Sequence, residues 1–414
     1  MKSWTPKPPT SSSLLDHDVE TLGSYLKGKR IALMVCGGIA AMKAPLIARA
    51  LRRYQADVVA FVTDEALKYT TIDALEWSTY NKVVKNLSPW SEHLSKEKPF
   101  DAFLLAPATY NSINKLRHGI ADTPVTTTLA AALSLVVKKQ TQMFIAPTMH
   151  GDFHNTVLEE SLNFLSQLGV KIIPPRDAYG KHNLPEPKLI AAFLSHHMST
   201  GPLQGKDILV TSGSTPVFID SVRCISNRFR GRLGLEISKH LFLSGANVLH
   251  LYGSGSVEPE DYLESIKVQD FEEYRDMVLK ILKEKTFDAG IFSAAVADYK
   301  PEKTFIGKIK SNGALKSVDF LQTEKVIDMV QEQHPTLPMI SFKFESNISK
   351  EDLFEIGHRR IQRGHRAVVA NRDEDTSKKG AQKAYLLTEH SDPLELNGKP
   401  EIANAVAHYL ETIL

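Results

Sequence analysis

With 414 residues, 42% of them hydrophobic and 24% charged, the chain has an ordinary globular composition and room for two or three domains. A formal net charge of +2 supplies no general field for nucleic acid or an anionic membrane. Its two cysteines, Cys36 and Cys224, stand far apart without CxxC spacing, which excludes a disulfide framework or a zinc motif and fits a reducing, cytoplasmic setting.

Residues 1–28 lack the apolar stretch of a signal peptide and read as a disordered tail, with Leu14 to Leu26 forming a short helix. No apolar run is long enough to span a bilayer. Arg30 to Val35 then reads as a buried strand, broken by Cys36-Gly37-Gly38 and followed by a helix from Ile39 to Tyr54. Further strands are expected at Asp57–Val62, Ala102–Leu105, Gln142–Ala146 and Val170–Ile173, with helices between them. Gly or Pro closes several of these strands. Such alternation indicates a parallel, doubly wound sheet, with ligands at the strand C-termini.

The polar, turn-rich segment 195–205 reads as a linker, after which the alternation restarts. Strands are expected at Ile208–Thr211, Asn247–Leu251, Ala289–Ser293, Met339–Phe342, Ala367–Ala370 and Ala384–Leu387, with a final helix over Glu401–Leu414. The fold class is therefore α/β, with two doubly wound Rossmann-like domains over residues 29–194 and 206–414.

The most informative stretch runs from Thr211 to Gly231. Small residues follow a strand and allow backbone N–H groups to approach an anion; Asp220, Arg223 and Asn227 come next, then a helix start. Downstream, Asp298 closes a strand and is followed by Lys308 and Lys310. Lysines beside such a loop suit a nucleoside triphosphate, and a strand-end carboxylate can hold Mg²⁺ or a ribose hydroxyl. Each piece alone also has a bland reading, as a solvated surface pair or a helix cap.

In this order, TSGSTPVFIDSVRCISN, FSAAVADYKP, KIK, FKFES and Ala370-Asn371 resemble the phosphopantothenate–cysteine ligases of coenzyme A biosynthesis. The resemblance implies catalytic roles for Asn227 and Lys308, a phosphopantothenate contact at Arg223, and nucleotide contacts at Asp298, Lys310 and Phe342. It implies a substrate carboxylate that attacks the α-phosphate of CTP, with Mg²⁺, to give an acyl-cytidylate and pyrophosphate. The cysteine amine then displaces CMP. Asn227-Arg-Phe-Arg-Gly231 departs from the family's Asn-x-Ser-Ser-Gly, and Lys308-Ile-Lys310-Ser311 departs from Lys-x-Lys-Lys.

In the first half, GGIAAMK, APATYNSINK, GIADTPVTT and APTMH resemble the flavin-containing cysteine decarboxylases that act on phosphopantothenoylcysteine. A flavodoxin-like domain binding FMN is implied, with contacts at Gly37, Gly38, Thr63, Thr109 and Asn111. For Thr109 and Asn111, plain helix capping is the competing reading. His93 matches the family's active-site histidine by its spacing to Pro107, and His150 stands where the family has a substrate-binding Asn. Flavin oxidation of the thiol to a thioaldehyde would supply the electron sink that loss of CO₂ requires. The family's clamp cysteine is replaced by Arg176.

The implied partners are 4′-phosphopantothenate, cysteine and CTP, in a homo-oligomer with flavin-domain trimers and ligase-domain dimers. Two alternatives stay open: a ligase whose flavin half is degenerate or stops at the oxidised enethiol, and a non-enzymatic oligomeric scaffold.

Overall fold

A computed structural model describes residues 6–8, 10–89, 92, 97–309, 317–375 and 382–414. The chain divides into two compact units, Met1–Met198 and Ser199–Leu414.

The first unit contains β1 (Arg30–Val35), β2 (Asp57–Val62), β3 (Ala102–Ala108), β4 (Gln142–Pro147), β5 (Met149–His150), β6 (Lys171–Ile172), β7 (Arg176–Ala178) and β8 (Lys181–Asn183). Its helices are α1 (Ala44–Arg52), α2 (Ile72–Thr79), α3 (Tyr110–His118), α4 (Pro124–Val137), α5 (Thr156–Gln167) and α6 (Pro187–Met198). The main sheet is parallel in the order β2-β1-β3-β4-β6. Both faces are covered, so β1 is apolar at successive positions rather than alternating. Ile31, Leu33 and Val35 enter one core, and Ala32 and Met34 enter the other. A small antiparallel sheet, β5-β8-β7, stands beyond the end of β4.

Two segments differ most from the sequence reading. The segment Leu14–Leu26 forms turns rather than a helix, and its end is anchored to the domain, not loose. Leu22 N–H donates to Arg53 O, Leu26 N–H donates to Tyr54 O, and Leu26 is fully buried. Residues 195–198, read as the start of a linker, are the last turn of α6, where Ser195 and Met198 are buried. Their small or apolar side chains continue the inward face of that helix, which local polarity hides.

The second unit begins with β9 (Asp207–Ser212), the ribbon β10 (Val217–Phe218) and β11 (Cys224–Ile225), then β12 (Asn247–Gly253), β13 (Glu264–Val268) and β14 (Ala289–Phe292). A second ribbon, β15 (Tyr299–Pro301) and β16 (Phe320–Gln322), precedes β17 (Met339–Glu345), β18 (Ala367–Arg372), β19 (Lys383–Thr388) and β20 (Leu394–Asn397). Helices are α7 (Arg232–Leu243), α8 (Phe271–Glu284), α9 (Val326–Gln333), α10 (Lys350–Gln362) and α11 (Lys399–Ile413). The large sheet runs β13-β12-β9-β14-β17-β18-β19-β20, parallel through β18 and antiparallel beyond it. Strand order reverses about β9, so the crevice between the C-terminal ends of β9 and β14 is the expected ligand position.

Candidate functional site

In the second unit, the loop after β9 crosses that crevice. Ala295 N–H donates to Gly213 O at 2.7 Å, and Ala297 N–H donates to Thr215 Oγ1 at 3.0 Å. Ser226 Oγ donates to Ser214 Oγ at 2.9 Å. Asn227 Nδ2 donates to the carbonyls of Ala295 (3.0 Å) and Val296 (3.3 Å), which leaves Oδ1 as an acceptor toward a ligand. A pocket of about 430 Å³ opens here, lined among others by Ser214, Cys224, Ser226, Asn227, Phe229 and Arg230. Gly231, at φ 70, starts α7; a Cβ there would fall 2.8 Å from Gly213 N, so only glycine lets helix and loop meet.

Asp220 is buried behind Arg223. Its carboxylate accepts from Val222 N–H (2.8 Å), Arg223 N–H (2.7 Å), Ile309 N–H (3.0 Å) and the Arg223 guanidinium. Burial works to raise its pKa, but these donors outweigh it and hold the carboxyl well below the usual range. Arg223 and Lys308 are exposed, on the two segments that Asp220 joins. Asp298 is exposed and ion-paired with Lys325. Phe342 is half-buried on β17 and packs on the core, while two positions along, Phe344 meets Phe229 edge-on at 5.5 Å between ring centroids. Arg228 reaches Asp373 at 3.5 Å. Lys310 lies outside the described residues.

In the first unit, the strand order reverses between β1 and β3, where this topology places a flavin. Gly37 and Gly38 follow β1, Thr63 follows β2, and Thr109 and Asn111 follow β3. These residues fit an anionic cofactor. The helical turn from Ile39 has no side-chain cap at Gly38, which leaves its leading backbone N–H groups without a side-chain acceptor. Gly37 has a second reason to be glycine: a Cβ there would fall 2.4 Å from Glu65 Cβ, whereas one at Gly38 would make ordinary contact with Thr109 at 3.5 Å. Thr63 and Thr109 both act as caps. Thr63 Oγ1 accepts from Ala66 N–H at 3.2 Å, and Thr109 Oγ1 accepts from Ser112 N–H at 3.3 Å. Asn111 is exposed one residue into α3.

Residues 20–199 match the Flavoprotein family, and residues 203–413 match the DNA/pantothenate metabolism flavoprotein C-terminal domain. The coenzyme A biosynthesis bifunctional protein CoaBC of Thermococcus kodakarensis is 34% identical over 357 residues, covering 85% of this chain and 87% of the relative. The chain belongs to the CoaBC family.

CoaBC proteins act in coenzyme A biosynthesis, with phosphopantothenoylcysteine synthetase and decarboxylase activities, and the first unit is a flavin-binding domain. The CoaBC of Methanocaldococcus jannaschii is 26% identical over 397 residues, covering 95% of this chain and 96% of the relative. The DNA/pantothenate metabolism flavoprotein of Streptococcus pneumoniae superposes with a TM-score of 0.46 and 23% identity over 51% of this chain and 100% of that one.

The β5-β8-β7 sheet carries His150 and Arg176. His150 lies on β5, half-exposed, with Nδ1 accepting from Asp152 N–H at 3.3 Å. Arg176 begins β7 and is exposed. Of the two cysteines, Cys36 is fully buried at the end of β1, with its thiol pushed up by burial to about 11, and Cys224 lies in the second unit. The same sheet holds a cluster that sequence reasoning missed. His154 Nδ1 and His182 Nε2 are 2.8 Å apart, with Asp177 on the other nitrogen of His182 (2.6 Å) and Glu159 on that of His154 (3.1 Å). No spacing signal marks it: the pairing of β7 with β8 sets Asp177 opposite His182, while His154 follows β5 and Glu159 lies on α5. His93 lies outside the described residues.

Proposed function

We propose that the second unit ligates cysteine to 4′-phosphopantothenate at the expense of CTP. The observation that carries this is the Asn227 amide bonded across the β9/β14 crevice while Arg223 and Lys308 are held on adjoining segments. Arg223 binds the anionic substrate. Lys308 neutralises charge as the substrate carboxylate attacks the α-phosphate of CTP and pyrophosphate leaves. Asn227, through Oδ1, holds the acyl-cytidylate for attack by the cysteine amine, and CMP departs. Asp298, Lys310 and Phe342 serve the nucleotide, which brings its own Mg²⁺. Pyrophosphate release that depends on CTP, 4′-phosphopantothenate and cysteine tests the assignment; release from ATP alone would overturn the choice of base.

For the first unit we propose FMN, held by the backbone around Gly37 and Gly38 with Thr63, Thr109 and Asn111. When bound, it supplies the two-electron oxidation that makes the cysteinyl carboxylate a leaving group. His93 would take the proton, and His150 would hold the substrate carboxylate. Exposed Ile39, Met42 and Leu46 beside this crevice suit subunit contacts within a cytoplasmic homo-oligomer.

The missing thiol on the β5-β8-β7 sheet favours a second reading, in which the product leaves as the oxidised enethiol. Mass spectrometry of the product made from phosphopantothenoylcysteine separates the cases: loss of CO₂ alone, loss of CO₂ with two hydrogens, or no change.

A further inference from the structure

We propose that Asp220 is a positioning residue that fixes the Lys308 segment against the Arg223 loop, so that both cations address one substrate. This rests on the ligase reading above. A buried carboxylate is costly unless it is fully bonded, and Asp220 is 1% exposed. Its two oxygens divide the work. Oδ1 accepts from Val222 N–H and Arg223 N–H and shapes its own turn. Oδ2 accepts from Ile309 N–H at 3.0 Å, on a segment remote in sequence, and from the Arg223 guanidinium. A turn cap alone would need only the first set.

The neighbouring backbone completes the clasp. Ser221 N–H donates to Gly307 O at 3.2 Å, and Phe305 N–H donates to Ile219 O at 2.9 Å. Thr304 Oγ1 donates to Phe218 O at 3.3 Å, and Arg223 Nη1 donates to Ile309 O at 3.4 Å. Lys308 therefore sits between two anchored groups, the Gly307 carbonyl and the Ile309 N–H. Its long side chain has many rotamers, so a fixed backbone is what limits where the ammonium can go. With every described donor directed at it and no exposed edge, Asp220 has no path to touch substrate and acts through Arg223 and Lys308.

The test is a double-mutant cycle on the full chain. Asp220→Asn replaces an acceptor with a donor that faces Ile309 N–H or Arg223. It should lower kcat for pyrophosphate release about 10²-fold and leave the KM for cysteine unchanged. In the Lys308→Gln background the same change should cost clearly less than in the wild type, leaving only the part that runs through Arg223. Multiplying losses, or a wild-type kcat in Asp220→Asn, would overturn the proposal. Asp220→Ser, which keeps an acceptor for its own turn but is too short to reach Ile309, should reproduce the loss.

Hydrogen exchange provides an arm independent of activity. Segment 302–309 should exchange at least about tenfold faster in either variant, with β9 and β12 unchanged. If neither variant folds, an Ile309 amide that exchanges at the free-peptide rate in the wild type would still refute the clasp. A wild-type chain that releases no pyrophosphate would remove the ligase reading, while the exchange result would continue to judge the clasp on its own.

Discussion

Asn227 Nδ2 lies 3.0 Å from the carbonyl oxygen of Ala295, so the side chain that would hold the acyl intermediate is itself held by the far wall of the crevice. Asn227→Asp places a carboxylate against two carbonyl oxygens and removes both donors. Amide formation should fall by about 10²-fold or more, as expected for loss of an oriented polar group at a reacting centre. Quench-flow measurement of phosphopantothenoylcysteine against pyrophosphate would show amide formation falling further than pyrophosphate release; equal losses would move Asn227 to the first step.

Lys308→Gln keeps a polar arm, one atom shorter, and removes its charge. Pyrophosphate release should fall about 10²- to 10³-fold, with the thermal midpoint unchanged because Lys308 is exposed. Retained release would disprove the role given to this lysine.

Gly37 and Gly38 should respond differently to the same methyl group. Gly37→Ala drives a Cβ to 2.4 Å from Glu65 Cβ and must shift the loop after β1, whereas Gly38→Ala meets Thr109 at 3.5 Å. Flavin retained through gel filtration, read by visible absorbance, should drop in Gly37→Ala. A drop in Gly38→Ala as well would show that the ligand itself needs the missing side chain.

His250 is fully buried between Ser212 Oγ (3.0 Å) and Ser238 Oγ (2.7 Å), and burial pushes its imidazole down to about 4. The folded state thus favours the neutral ring, against an unfolded value of about 6.5. Its contribution is complete above about pH 6.5 and is lost as pH falls toward about 4, reaching a loss on the order of 2 kcal/mol by about pH 5. Urea denaturation at about pH 7.5 and about pH 5 should show a smaller pH effect in His250→Gln than in the wild type. An equal effect in both would show that this ring does not drive acid destabilisation.

Much of this was legible in the sequence because it is local. The unbroken apolar run in β1 announces a strand covered on both faces, and Ile31/Leu33/Val35 against Ala32/Met34 divides as such a strand requires. The crevices followed from where strands end. Lost from view were features made by distant partners or by weak burial. The edge strand β13, Glu264–Val268, is mostly solvated, so it carries no apolar signal. The anchoring of Asp220 depends on Ile309, and the His154–His182 contact joins the segment after β5 to β8; neither leaves a local trace. Thr109 was legible as cap or ligand contact alike; its oxygen makes a cap, and so does that of Thr63.

The contrast between the two thiols turns the chain into its own reporter. Cys36 is sealed in the core with its thiol pushed up to about 11, while Cys224 is exposed and lines the second-unit pocket. An alkylating fluorophore should therefore label the native protein once, at the mouth of the crevice, without mutagenesis. Its rate of attachment would then record the arrival of substrate, since a ligand seated against Asn227 and Arg230 shields the sulfur that the dye must reach.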